Sequence, residues 1–234
     1  MLFFFLTITY QILKRRKERL NLIFSGFFVS IIIGNLLNMI YAAIPYTPPN
    51  TNKNIILTLN FLTNFFFLFG PIFILTVNRI ILESTIIFSI KRQNSSILIY
   101  GTILFSGMLI LVLLPDPFNI LGVDLTDEGA PIYKPLFFTY VILFSAAFVV
   151  IPVIRSSLKI YTSFETMAIK KKWLYYFIGS LGSFSIFYFI FIGNFMNYFS
   201  FDTTVFRLII NIYSISVVLW VLLMYYGIGF KLKQ

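Results

Sequence analysis

The chain has 234 residues, of which 59% are hydrophobic, 20% aromatic and only 11% charged, with a formal net charge of +10 and a mean hydropathy of +0.92. An ordinary soluble domain carries about 25% charged residues, so too little charge is present here to wet a surface, and a water-soluble enzyme is excluded. With no His and no Cys the chain has no imidazole base, phospho-acceptor or thiolate; no catalytic residue, cofactor or metal site is expected.

A bilayer core about 30 Å thick takes about 20 apolar residues of helix, because backbone N–H and C=O groups cannot be left unpaired in hydrocarbon. The first apolar run, Leu2 to Leu13, reaches only about 18 Å at about 1.5 Å per residue, so it is expected to be a partial helix or one whose start is truncated. It is not a signal peptide, since Lys14, Arg15, Arg16, Lys17 and Arg19 follow the apolar core instead of preceding it. Six full spans follow: Leu20 to Ile44, Ile55 to Val77, Ile97 to Leu114, Leu136 to Ile154, Trp173 to Phe195 and Phe206 to Ile228.

Cytoplasmic loops carry the excess of Lys and Arg, and that rule orients the map. Fifteen of the 18 basic residues fall on alternate segments assigned inside, and only Lys53, Lys134 and Arg207 fall outside. Of the acids, Asp116, Asp124, Asp127, Glu128 and Asp202 lie outside and Glu18, Glu83 and Glu165 inside, leaving +12 on one face and −2 on the other. The expected fold is an all-α polytopic bundle of seven transmembrane helices, the first one short, with the N-terminus out and the C-terminus in. It forms a single domain over residues 1–234, in the cell membrane before an organelle. The basic face is expected to meet anionic lipid headgroups and cytoplasmic or membrane protein partners, not nucleic acid, because no nucleic-acid-binding motif accompanies the charge.

Within the spans, Gly26, Ser30 and Gly34 recur at i+4 and make a smooth ridge for helix packing, and Gly179, Gly182 and Ser183 offer a second close-approach surface. Amides are the conspicuous polar groups: Asn35, Asn38, Asn60, Asn64, Asn194 and Asn211 are the candidates for a ligand pocket, with interhelical hydrogen bonding as their other role. No ionisable side chain lies mid-span. Arg79 and Glu83, four residues apart at an inner helix end, can pair on one face and are the candidate coupling pair. Pro71, after Gly70, and Pro152 are expected to bend their helices. Trp173, Tyr175 and Tyr176 beside Lys170, Lys171 and Lys172 read as an interfacial anchor.

The loop 115–135 (PDPFNILGVDLTDEGAPIYKP) is the one sizeable extramembrane element, with Gly122, Gly129 and prolines marking turns, and is expected to form a hairpin lid. Asp124, Asp127 and Glu128 lack the spacing of a 12-residue calcium loop and read as solvated acids. Asn94-Ser95-Ser96 matches a glycosylation triplet but falls on the cytoplasmic side.

The seven-span plan, this acid-bearing outer loop, and the run Gly129, Pro131, Tyr133, Pro135, Leu136, Phe137 and Tyr140 entering the fifth span resemble the N-terminal seven-helix sensor region of membrane histidine kinases. The resemblance implies a sensor-like module but carries over no ligand residue, and the phospho-accepting His is missing. Microbial rhodopsins share the helix count, yet Phe206 to Ile228 holds no Lys for retinal, only Arg207 at its mouth; the receptor pattern of an acid before Arg79 is also absent. The function expected is a sensor-like bundle that binds an apolar or lipid-like ligand and signals to cytoplasmic partners. The alternatives are a transporter or scramblase-like conduit for a neutral or lipidic substrate, and a non-catalytic subunit that packs through the Gly26, Ser30, Gly34 ridge.

Overall fold

The computed structural model describes residues 1–15, 18–46, 52–199, 201 and 204–228; the expectations placed on Arg16, Lys17, Asp202, Lys231 and Lys233 fall outside them. In chain order run α1 (Leu2–Arg15), α2 (Arg19–Ala42), α3 (Lys53–Phe69), α4 (Pro71–Ile87) and α5 (Ile90–Leu113). A two-stranded hairpin follows, β1 (Val123–Leu125) and β2 (Pro131–Tyr133), and then α6 (Pro135–Ser145), α7 (Ile151–Ser163), α8 (Met167–Met196), α9 (Thr204–Ile215) and α10 (Val217–Ile228). Six stretches are long and apolar enough to cross a membrane: Arg19–Ala42, Lys53–Glu83, Ile90–Leu113, Pro135–Ser163, Met167–Phe199 and Thr204–Ile228; the apolar helix Leu2–Lys14 is shorter. The protein is an all-α integral membrane bundle. Large apolar side chains such as Phe3, Leu98, Val205, Leu208 and Ile212 stand exposed on its outside, which only a lipid environment tolerates in such number.

Three of the six spans are interrupted, each for a local reason. Pro71 has no N–H to return to Phe67, so the second long span breaks at Gly70, where Phe73 N–H bonds to the Gly70 carbonyl at 3.0 Å in a tighter turn. Pro152 likewise cannot donate to Phe148, and the residues just before it, Ala146–Val150, open into one π turn in which Ile151 N–H reaches the Ala146 carbonyl. The last span breaks at Ser216, whose hydroxyl bonds to the Tyr213 carbonyl at 2.5 Å and accepts the Trp220 indole N–H at 2.8 Å.

The loops sort onto two ends in the alternation that the charge pattern assigns. At the outer end, Lys53 pairs with Asp124 at 2.7 Å, Lys134 with Asp116 at 2.7 Å, and Asn197 donates to the Pro131 carbonyl at 2.8 Å. Arg207, the remaining outer cation, donates to Asn197 Oδ1 at 3.0 Å. At the other end, Arg19 donates to Gln93 Oε1 at 3.1 Å and the Trp173 indole to the Ser157 carbonyl at 2.9 Å. The Asn94-Ser95-Ser96 triplet is helical, in the first turns of α5.

The two small-residue surfaces pack differently. A Cβ on Gly179 would sit 2.4 Å from the Trp220 carbonyl oxygen and one on Gly227 would sit 2.4 Å from the Tyr176 nitrogen, so α8 and α10 cross with backbone against backbone. The Gly26, Ser30, Gly34 ridge mostly receives aromatic rings instead: Gly26 faces Phe73 and Gly34 faces Phe67. Backbone comes close near Ser30, where Gly70 passes. This ridge is filled by the chain's own α3 and α4, which removes it as the surface for a separate membrane partner. The interfacial anchor is also corrected. Trp173 and Tyr176 are 4% and 0% exposed, because positions 173, 176, 180 and 183 share the face of α8 turned into the bundle.

Candidate functional site

The site is built at the outer end of the bundle, beginning with the hairpin. Gly129 takes φ +79 at the close of the turn, where the Thr126 hydroxyl accepts the Ala130 N–H at 3.0 Å and Thr126 N–H bonds to the Ala130 carbonyl at 2.8 Å. A side chain there would also meet Tyr46, 2.9 Å from an ideal Cβ. With β1 and β2 paired antiparallel, Val123 opposite Tyr133 and Leu125 opposite Pro131, alternation turns Tyr133 and Pro131 toward the helices. Tyr133 is 1% exposed and packs on Phe137 and Phe191 with ring centroids 5.5 and 5.0 Å away. Burial pushes its phenol well above the ordinary tyrosine range, so it stays a neutral donor.

That donor is used. The Tyr133 hydroxyl donates a hydrogen bond to Asn64 Oδ1 at 2.8 Å, and Asn64 Nδ2 donates to Asn60 Oδ1 at 2.9 Å. Asn60 and Asn64 are one turn apart on α3 and both buried, so the sheet is tethered to the helix by a chain of two hydrogen bonds. Above this chain lies a cavity of about 290 Å³, at the small end of the ~300–1,000 Å³ typical of ligand sites. Its polar wall comprises Asn35, Asn38 and Tyr41 from α2, Asn60, Thr63 and Asn64 from α3, Tyr133, Asn194 from α8 and Ser214 from α9. The apolar wall comprises Phe5, Ile31, Phe67, Ile186, Phe187, Ile190, Phe191 and Val217, with Met1 exposed at the rim. The Thr63 hydroxyl is a buried oxygen with no hydrogen-bond partner among the described residues. Thr9 and Thr76, by contrast, return theirs to the carbonyl four residues back, at 2.8 and 2.9 Å.

Five of the six candidate amides, Asn35, Asn38, Asn60, Asn64 and Asn194, line this one space. Asn211 does not. It is exposed on α9, whose inward positions in this stretch are Ser214 and, beyond the break, Val217. The spacing of amides along α2 and α3 points to their faces, whereas the contribution of Tyr133 depends on how the hairpin folds back, which no spacing carries. Thr63 lies beside Asn60 and Asn64 on their helix, but Tyr41 and Ser214 were equally without a signal of their own.

A second polar cluster, not anticipated, lies in the inner half. Asn78 is fully buried on α4; its amide reaches Ser156 Oγ at 2.9 Å and Ser157 Oγ at 2.8 Å, and its Oδ1 accepts the Tyr176 hydroxyl at 3.2 Å. It therefore joins α4, α7 and α8. Hydropathy ends the two spans at Val77 and Ile154, which leaves Asn78, Ser156 and Ser157 just past them and hides their need for partners, whereas the helices run on to Ile87 and Ser163. One position on, Arg79 and Glu83 form the ion pair their spacing allows, Nε to Oε1 3.1 Å, with the guanidinium 4.4 Å from the Phe88 ring centroid. The pair is part-exposed, with side-chain exposures of 41% and 34%. Of the loop acids, Asp124 is held by Lys53, and no group of three acids that could hold a metal ion occurs among the described residues.

Comparison with protein-family models, with curated proteins and with solved structures gives no match, so function has to be argued from this geometry.

Proposed function

We propose that the protein is a sensor-like receptor of the cell membrane that takes an apolar or lipid-like ligand into the outer cavity and passes helix movement to partners on its basic cytoplasmic side. The observation that carries the reading is the cavity itself: carboxamides from three different helices converge on it, opposite a wall of Phe and Ile. Sites of this make-up, mostly apolar with a few convergent polar groups, are the usual form of small-molecule pockets. The seven-span plan resembling kinase sensor regions implies the same role.

Movement has a physical route. The two spans that supply Asn60, Asn64 and Asn194 at the outer end also supply Asn78 and Tyr176 to the inner cluster, and the first of them bends at Gly70–Pro71 between the two sites. A transporter needs instead a polar path through the bundle. Between the cavity and Asn78 the interior is packed with Phe24, Phe27, Phe28 and Phe184, all buried, which favours the receptor over the conduit.

Native mass spectrometry of the purified chain with monodecanoylglycerol as the probe tests the reading. Wild type is expected to retain the probe, and the Asn60→Leu, Asn64→Leu double variant to lose it. Equal retention removes the cavity from the account, and lipid or solute flux in proteoliposomes without probe binding replaces the receptor with the conduit.

A further inference from the structure

We propose that the outer cavity selects an uncharged single-chain amphiphile whose head carries a hydroxyl, glycerol or primary-amide group, and that the carboxamides of Asn35 and Asn38 hold that head. The inference rests on the cavity being a ligand site and specifies the chemistry it takes.

The polar wall divides into groups already engaged and groups left open. Asn60, Asn64 and Tyr133 are bound to one another. Asn35 and Asn38 are not: both are half-buried, both line the cavity, and neither has a hydrogen-bond partner among the described residues. Three residues apart on α2, they share a face, so their amides are presented together. Each carboxamide offers two N–H donors and one carbonyl acceptor. A head that can both give and accept a hydrogen bond satisfies them, and an alkane cannot.

Charge narrows the class further. No Asp, Glu, Lys or Arg side chain lines the wall, and Met1, the one lining residue with a charged group, its α-amino group, is 53% exposed at the rim. A carboxylate, phosphate or ammonium drawn past the rim to the Asn35 and Asn38 amides would lose hydration without meeting an opposite side-chain charge, which is far costlier than burying a neutral hydroxyl on an amide. The size fits one chain. At ~30 Å³ for each water-sized group, about 290 Å³ holds roughly ten such groups, enough for a small head and the first carbons of one tail along Ile186, Phe187, Ile190 and Phe191, the rest of the tail passing out of the open rim, and too little for two acyl chains.

Photolabelling of the full chain in phosphatidylcholine nanodiscs tests this. Three ten-carbon probes carry a diazirine on the tail and differ only in the head: alcohol, carboxylate or primary amine. The alcohol is expected to label peptides containing Phe187 and Phe191 at least tenfold more than either ionised probe, to be displaced by monodecanoylglycerol, and to resist didecanoylglycerol. The near-isosteric Asn35→Leu, Asn38→Leu variant is expected to lower alcohol labelling about tenfold, two hydrogen bonds being removed. The comparison among heads uses wild type alone and so stands whether or not the variant folds. Equal labelling of these peptides by all three heads overturns the proposed class while leaving the cavity as a ligand site. Displacement by didecanoylglycerol overturns the single chain, and absence of label from the cavity peptides with every probe overturns the cavity reading as well.

Discussion

Replacing Asn78 by Leu keeps the volume of the side chain and deletes its hydrogen bonds, which makes the inner polar cluster the best place to measure what holds the spans together. Three short contacts disappear, those to Ser156 and Ser157 at 2.9 and 2.8 Å and a third accepted from Tyr176 at 3.2 Å, together with a longer one to the Val153 carbonyl at 3.4 Å. Interhelical hydrogen bonds in membrane bundles average about 0.6 kcal/mol, so the expected loss is about 2 kcal/mol, a roughly thirtyfold change in the folded-to-unfolded ratio. Tyr176→Phe removes only the third contact and should cost about 0.6 kcal/mol; combined with Asn78→Leu it should cost almost nothing more, a coupling of the same size. Denaturant unfolding in mixed micelles reads this directly. Trp173, whose indole donates to the Ser157 carbonyl at 2.9 Å, serves as an intrinsic fluorophore beside the cluster. An Asn78→Leu variant within about 0.5 kcal/mol of wild type, or strict additivity with Tyr176→Phe, would refute the assignment of this cluster as the tie between α4, α7 and α8.

Three further outcomes are expected. Gly179→Ala should lower stability by about 1–3 kcal/mol, since its Cβ meets the Trp220 backbone at 2.4 Å, while Gly26→Ala should be milder because the Phe73 ring in its way can turn; thermal midpoints in detergent compare the two. For Asp124, burial pushes the carboxyl up, but the Lys53 hydrogen bond, the Leu125 N–H and the nearby Lys charges outweigh it and hold the group below its ordinary value. Its stabilisation is therefore complete above the unfolded carboxylate value of about 3.9 and fades as pH falls through the lower folded one; the midpoint gap between wild type and Asp124→Asn should be open at neutral pH and close in that acid window. The chain has no Cys, so single cysteines report topology cleanly. Asp127→Cys should react with an impermeant maleimide on intact cells, and Lys171→Cys only after permeabilisation.

The spans were legible because hydropathy and loop charge are long-range sums, insensitive to which neighbour a helix chooses. The hairpin was legible from Gly122 and Gly129, both at positive φ, since few residues but glycine occupy that backbone region readily. Neighbour choice was not legible. Gly26, Ser30 and Gly34 announce a groove but cannot say whether a backbone or a phenylalanine ring fills it, and here Phe67 and Phe73 do. Trp173 and Tyr176 beside a lysine cluster have the composition of a membrane-surface belt, yet their helix face turns them inward to Ser157 and Asn78. Asn211 failed for the same reason in reverse: an amide at the right depth lies on the outward face of its helix. Depth is written in the sequence, and azimuth is settled by packing.

Phe5 comes from the first helix and Ser214 and Val217 from the last long stretch, and all three wall the same space. During synthesis that space cannot be walled until the segment carrying Ser214 and Val217 has left the ribosome and been released laterally beside the one carrying Phe5. A polypeptide cut short before Ser214 would still insert its earlier segments, yet it would leave that wall open. Closure of that wall is thereby a late, long-range event in folding.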